Sequence, residues 1–385
     1  MVLLCMPFFI LAGSLIEKGR VAEYLVRFAD VIVGRIKGGM AATGIITMAI
    51  FGAISGASAA AICSIGPVMI PELIKEGYPR GYAASFITLA AASDLLIPPS
   101  VSMVIYGWLT DTPIAACFLA GTGPGILFLS FLIVYNLIML KKMPSVRKPR
   151  AWGSTKEVVK ELAFSGRQAF PGLLMPVLVL GSIYGGIATA TEAAAVAAAY
   201  AIIIGFLVYR GLTVKVFIDS LVETGATIGV IMILLFCAVM LARMFTMEKF
   251  PQTVAAFMLD LSSNKYMLLL IINLFLIFLG MIMDDASAII ISVPLLFPLI
   301  KGIGISPVHF ASIVTTNLAM GCLTPPVAPL LYTGQRVSNV PFSEMIGPSM
   351  RMIIFVFLPV VFITTYWPAL STWLPKVILG SKVFG

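Results

Sequence analysis

In the stretch GMIMDDASAIII, Gly280 to Ile291, two adjacent carboxylates interrupt an otherwise apolar run. A charged side chain at the centre of a bilayer costs about 2.5–3.5 kcal/mol on insertion scales, so Asp284 and Asp285 need a use that offsets it. Three other short stretches share their character. Ser55-Gly56-Ala57-Ser58 breaks an earlier apolar run, Asp94 to Ser100 contains Pro98-Pro99, and Gly321 to Pro326 contains Thr324-Pro325-Pro326. A proline removes one backbone donor and frees the carbonyl of the preceding turn. Freed carbonyls, with Ser, Thr and Asp oxygens, make a hard oxygen cage suited to a small monovalent cation. Helix starts at Ser58 and Ala286 present N–H groups and positive dipole ends, which suit an anionic ligand. Cation and carboxylate sites side by side are what a sodium-coupled organic-anion carrier needs.

Other roles stay open for several of these residues. Asp284 and Asp285 are also good N-cap residues. Asp94 reads equally as a ligand or as a cap on its broken helix, and Asn317 as a ligand or as interhelical glue. Glu192 reads as an N-cap or interface residue between two spans, Glu223 as facing a partner helix, and His309 as structural.

The elements that position these residues follow from composition. The chain has 385 residues, of which 60% are hydrophobic and 11% charged, against roughly 25% charged in a soluble domain. Repeated apolar runs of about 20 residues define an all-α polytopic membrane protein. The runs are continuous rather than alternating, which excludes a β-barrel. The five cysteines stand singly in apolar segments and read as packing residues. No nucleophile–base pair or metal constellation appears, so an enzyme is not expected. No phosphate-binding Gly-rich loop is present to use ATP, and no metal is expected beyond sodium. The net charge of +8 reflects membrane topology rather than nucleic acid.

Apolar spans are predicted at 2–16, 38–54, 58–74, 82–106, 113–140, 168–190, 193–209, 217–243, 266–283, 286–300, 307–334 and 342–370. Two mixed stretches, 20–35 and 246–263, have the amphipathic pattern of helices lying on a membrane surface. The linker 141–167 with Gln168 holds eight basic and two acidic residues, which places it in the cytoplasm. Threading outward from it is consistent with 38–76 and 266–302 being re-entrant hairpins, although charge alone does not require that.

The two halves repeat. Pro71 matches Pro298, Pro98-Pro99 matches Pro325-Pro326 and Gly107 matches Gly334, at an offset of 227 residues (298 minus 71). Each copy reads as a small-polar break, a helix, a short loop and a helix interrupted by Pro-Pro. Residues 1–140 form the first repeat, with hairpin 38–76 and broken helix 82–106, and residues 168–385 the second, with hairpin 266–302 and broken helix 307–334. The first copy begins beside cytoplasmic Lys37 and the second on the opposite face, so the repeats are expected to be inverted, with the site at the midplane between them. The second half has three spans before its hairpin and the first only one. The symmetry therefore predicts about two and a half further helices ahead of Met1.

The ordered motifs PFFILAGSLIEKG, GAISGASAA, IPPSVSMVIYG, TEAAAVAAAYA, GMIMDD, SPVHF and LTPPVAPLL resemble the large membrane subunit of tripartite ATP-independent periplasmic (TRAP) transporters over nearly the whole chain. The resemblance implies an elevator-type carrier of the ion-transporter-superfamily kind in the bacterial inner membrane, driven by sodium as the coupling ion. It implies a periplasmic substrate-binding protein that delivers an organic anion bearing a carboxylate. A small four-helix membrane subunit would brace the scaffold, with membrane lipid around it. Carried over by position, one sodium site involves Ser55, Gly56, Ser58, Asp94, Pro98 and Ser100, and a second Asp284, Asp285, Ser287, Gly321, Thr324 and Pro325. Ser58, Ser100, Asp285, Ser287 and Asn317 are the expected substrate ligands.

The chain departs from the usual pattern at Ala57 and Ala61 in the first hairpin, at Asp94-Leu95 in place of Gly-Pro, at Ala328 in place of Gly, and at the additional acid Asp285. These departures put altered ligand chemistry among the expectations. Two rival readings are a stand-alone ion-coupled carboxylate transporter of similar architecture and an inactive or truncated scaffold subunit.

Overall fold

In a bilayer no water is present to satisfy backbone groups, so each crossing segment must close its own hydrogen bonds. The computed structural model, which describes residues 2–144, 146, 155–248, 250, 253 and 264–380, is accordingly helical, with no strand among the described residues. Eight of its helices are long and apolar enough to cross a membrane.

After a short 3-10 turn, α1 (Cys5–Lys18) and the amphipathic α2 (Val21–Val33) lead into α3 (Gly39–Ser55) and α4 (Ser58–Lys75). A first interrupted helix follows: α5 (Arg80–Ala90) with a 3-10 extension (Ala91–Leu95), then α6 (Val101–Thr110). The half closes with α7 (Ile114–Leu140). Three long helices come next: α8 (Thr155–Tyr184), α9 (Ala190–Ile203, ending in a π-turn) and α10 (Val214–Met247). The second half has α11 (Lys265–Ile282), α12 (Asp285–Gly302), the interrupted pair α13 (Pro307–Gly321) and α14 (Pro329–Ser338), then α15 (Phe342–Met352), α16 (Leu358–Tyr366) and α17 (Ala369–Leu379).

The breakers set these boundaries. Gly56, with φ +64°, ends α3 and extended Ala57 starts α4. Pro79, Pro113 and Pro341 precede α5, α7 and α15, and Pro307 occupies the first turn of α13, where proline's missing N–H is harmless. α4 and α12 each run 18 residues with two internal prolines, Pro67 and Pro71 in one, Pro294 and Pro298 in the other.

Packing between the halves is reciprocal. α4 lies on α14 as α12 lies on α6, and α5 lies on α15 as α13 lies on α7. Every residue from Gly81 to Ala90 and from Val308 to Gly321 is buried, so α5 and α13 are the central rods. The two hairpins differ in one respect. α11 packs more closely on α13 than on α12, so the second hairpin is splayed where the first is closed. Gly280 and Gly321 explain the preference, because a Cβ on either would come within 3.0 Å of the other's Cα.

Two sequence expectations change here. The polar linker 141–167 is helical from Thr155, and the span expected at 168–190 is α8, Thr155–Tyr184. Its charged start forms an outer helical face, where Glu161 meets Arg27 of α2 at 2.7 Å. The surface helix expected at 246–263 lies largely outside the described residues. Two finer readings have their partners: Glu192 closes a capping box with Thr189, and Glu223 pairs with Lys18 at 2.6 Å.

Candidate functional site

The four breaks meet in pairs. In the first pair, the tip between α3 and α4 is pressed onto the break between α5 and α6. A Cβ on Gly56 would lie 2.6 Å from the Pro99 carbonyl oxygen, so glycine serves this position both for its positive φ and for its lack of bulk. Ser55 is buried beside it, its Oγ accepting from the Ala57 N–H at 3.4 Å. The Ser58 hydroxyl, at the start of α4, is buried with no protein partner. Asp94 is fully buried in the 3-10 segment against Gly52. The Ser93 hydroxyl donates to its Oδ1 at 3.4 Å, and its Oδ2 has no partner. Ser100 caps nothing with its side chain; its hydroxyl donates to the Leu95 carbonyl at 3.1 Å across the break. Pro98-Pro99 is a cis bond.

The second pair joins the end of α11 to the break between α13 and α14. The Met281 carbonyl accepts from the N–H groups of Val327 and Ala328 at 3.3 and 3.4 Å, and the Cys322 thiol points at the Met283 carbonyl at 3.7 Å. Thr324 is buried and donates back to the Met320 carbonyl at 2.7 Å. Pro325-Pro326 is also cis. Ala328 has φ +45°, the left-handed region, which glycine adopts more readily than alanine.

The adjacent aspartates part company. Asp284 is the exposed N-cap of α12, accepting from the Ser287 N–H at 3.2 Å and from its hydroxyl at 2.6 Å. Asp285, the first residue of α12, turns inward and accepts from the Ser102 hydroxyl. Ser102 is buried in the first turn of α6, two residues after Ser100. This contact ties the start of the second hairpin's return helix to the exit of the first break.

Asn317 stands apart from these contacts. Its amide donates to Asn273 Oδ1 at 2.9 Å and to the Ile313 carbonyl at 2.8 Å, and Asn273 is joined to Thr365 at 3.0 Å. Its Oδ1 is buried without a partner. Of the nominated residues, Ser55, Gly56, Asp94, Pro98 and Ser100 gather at the first junction and Gly321, Thr324 and Pro325 at the second, while Asp285 bridges toward the first. Ser102, Gly52, Gly280 and the Met281 and Met283 carbonyls belong to the junctions as well. Ser102 had a legible signal, since the run PPSVS puts it in the first helical turn beyond the break. The carbonyls had none.

Helices broken at buried, oxygen-lined junctions and repeated within one chain are the construction of secondary membrane transporters. A family model described as "Tripartite ATP-independent periplasmic transporter, DctM component" matches residues 1–370, and the chain belongs to this family. It is a multi-pass inner-membrane permease rather than an enzyme. It is 35% identical to the C4-dicarboxylate TRAP transporter large permease protein DctM of Pseudomonas aeruginosa, over 97% of this chain and 86% of that protein. It is 34% identical to the sialic acid TRAP transporter large permease protein SiaM of Vibrio cholerae, over 98% and 87%. It is 37% identical to the isethionate TRAP transporter permease protein DctMQ of Oleidesulfovibrio alaskensis, over 96% of this chain and 57% of that one. The fold is similar to the crystal structure of the Alcanivorax borkumensis YdaH transporter, with a TM-score of 0.70 and 16% identity over 97% of this chain and 85% of that chain.

Proposed function

We propose that this permease imports an organic anion bearing a carboxylate, coupled to inward sodium flow, with the anion delivered by a periplasmic binding protein. A small membrane subunit braces it, and the hairpins and broken helices move together as an elevator between inverted repeats. The observation that carries this reading is the pairing of a hairpin with a broken helix at two places related by one sequence offset.

Each junction offers oxygen donors of the kind sodium takes. At the first, the Pro99 carbonyl, Ser55, Ser58 and the open Oδ2 of Asp94 are the candidates. At the second, the carbonyls around Gly321 to Pro326 and Asp285 are. A buried carboxylate with one oxygen unpartnered is costly, so Asp94 either shares its charge with a cation or is neutral. Substrate then sits between the two, against Ser58, Ser100, Ser287 and the N–H groups that begin α4 and α12, where the dipole favours an anion. Relatives named for C4-dicarboxylates, sialic acid and isethionate support the anionic class. Asp285 lowers the local positive potential, so it is better suited to a cation than to direct contact with the substrate carboxylate.

Uptake by proteoliposomes containing the chain, its small subunit and its binding protein tests the reading. Accumulation of labelled carboxylates is expected only with an inward sodium gradient. Equal accumulation in potassium, or without the binding protein, overturns the coupling or the delivery step respectively.

A further inference from the structure

Two cavities run end to end along the groove between α10 and α12. One, of about 190 Å3, reaches Ser287 at the tip of the second hairpin and is lined by Cys237 and Ala238 of α10 and Pro294 of α12. The other, of about 530 Å3, starts from the same Ala238 and Pro294 and continues past Trp108 of α6 to Arg243 and Met247. Together they form one crevice from the proposed anion site to the far end of α10. Among the described residues, Arg243 is its only charged lining residue. Arg243 is exposed and makes no ion pair among them. Asp111 lines the next cavity, beyond Trp108. At the tip, Asp284 is engaged by Ser287 and Asp285 by Ser102.

The mouth faces the side from which the anion is delivered. α8, α9 and α10 are each long and apolar enough to cross a membrane, so a cytoplasmic linker before them puts Arg243 on the periplasmic side. The rest of the wall is largely apolar, and a single cation between low-dielectric walls has its field focused along the cleft. Arginine's planar fork matches a carboxylate through two parallel hydrogen bonds. An arginine that merely reached for the membrane interface would need no cleft leading to the hairpin tip.

The first repeat supplies a contrast. At the offset of 227, Cys63 and Pro67 of α4 stand where α12 has Ile290 and Pro294, and Ile16 of α1 stands where α10 has Arg243. The charges acting on Cys63 are Glu17, Glu223 and Arg336, and Lys18 is held by Glu223 at 2.6 Å. Acids and bases balance there, whereas the crevice at Arg243 is left positive. We propose that this crevice is the entry path of the substrate anion and that Arg243 is its first ligand, taking the carboxylate before it passes to Ser287. The inference rests on the anion-carrier reading above.

The natural cysteines provide the test. Cys237 in the crevice and Cys63 on the first hairpin are exposed, while Cys5, Cys117 and Cys322 are buried. Labelling the full chain in proteoliposomes with the anionic sulfonatoethyl and the cationic trimethylammonium-ethyl methanethiosulfonates reads the local potential without any transport. At Cys237 the anionic-to-cationic rate ratio is expected to fall about tenfold or more in Arg243→Gln and to stay near the parent's in Arg243→Lys. At Cys63 neither substitution should change it. In uptake, Arg243→Gln should raise the half-maximal substrate concentration about tenfold and leave the half-maximal sodium concentration unchanged, with Arg243→Lys intermediate. An unchanged ratio at Cys237 overturns the inference. So does a Cys237 closed to both reagents, since lipid or a partner chain would then fill the crevice. A lower ratio with an unchanged half-maximal substrate concentration overturns Arg243 as a ligand. Uptake indifferent to sodium would overturn the coupling alone, and the labelling would still decide the crevice.

Discussion

The Ser102 hydroxyl, one turn beyond the first Pro-Pro break, donates to the carboxylate of Asp285, which opens the return helix of the second hairpin. It links the halves through the one aspartate of the pair that faces inward. Hydrogen bonds to charged groups contribute about 1.5–3 kcal/mol. Ser102→Ala should therefore raise the sodium concentration for half-maximal uptake by about tenfold, and Asp285→Asn should go further. Sodium titrations of uptake measure both; unchanged curves in both variants would remove Asp285 from ion coupling.

Asp284 should behave differently despite being the neighbour. Both its oxygens are engaged with Ser287 at the start of α12. Replacing a good N-cap by alanine costs about 1 kcal/mol, whereas serine caps nearly as well. Asp284→Ala is expected to lower the melting temperature by a few degrees, with Asp284→Ser close to the parent. Both should retain a sodium dependence near the parent's, and a sharp loss of that dependence in Asp284→Ser would contradict a capping role.

The contrast between these two aspartates shows what the sequence could and could not express. Two acids in an apolar run mark a break, and the breakers Pro71, Pro98, Pro99, Pro298, Pro325 and Pro326 mark the repeat. Both features are written in residue types and spacing. Which aspartate turns inward is not, because consecutive residues at a helix start project in different directions and the partner lies 183 residues away. Asn317 is a similar case. Its partner Asn273, and Thr365 to which Asn273 is bonded in turn, sit on separate helices, and only packing brings the three together. The start of α8 was obscured for another reason: charge made 155–167 look like linker, while Glu161 in fact spends its charge on Arg27.

Asp94 carries the largest unbalanced demand at the first junction, being fully buried with one oxygen unpartnered. Asparagine preserves its shape and removes the charge. Asp94→Asn should keep the chain folded yet weaken sodium activation of uptake by about tenfold or more, in line with the loss of a buried charge–cation contact. A sodium curve that matches the parent's would make Asp94 a neutral packing residue.

Gly56 tests the contact between tip and break. Alanine there must hold φ near +64° and bring its Cβ to 2.6 Å from the Pro99 oxygen. The left-handed conformation alone costs about 1–2 kcal/mol, and the Pro99 carbonyl would have to move as well. Gly56→Ala should abolish uptake while the protein still inserts in the membrane, and uptake at the parent rate would show that the junction is loose.

Ala328 offers the opposite experiment, since here the strain is already in place. It holds φ +45° and ψ +64° just before α14, and its N–H donates to Met281 at 3.4 Å. Glycine relieves about 1–2 kcal/mol of left-handed strain and gives back about 0.4–1 kcal/mol through the freer unfolded chain. The net expectation for Ala328→Gly is a stabilisation of up to about 1.5 kcal/mol, visible as a melting temperature raised by a few degrees in detergent. A fall in melting temperature would mean that the alanine methyl packs usefully at the second junction. In that case the alanine would be a feature of this site's own shape.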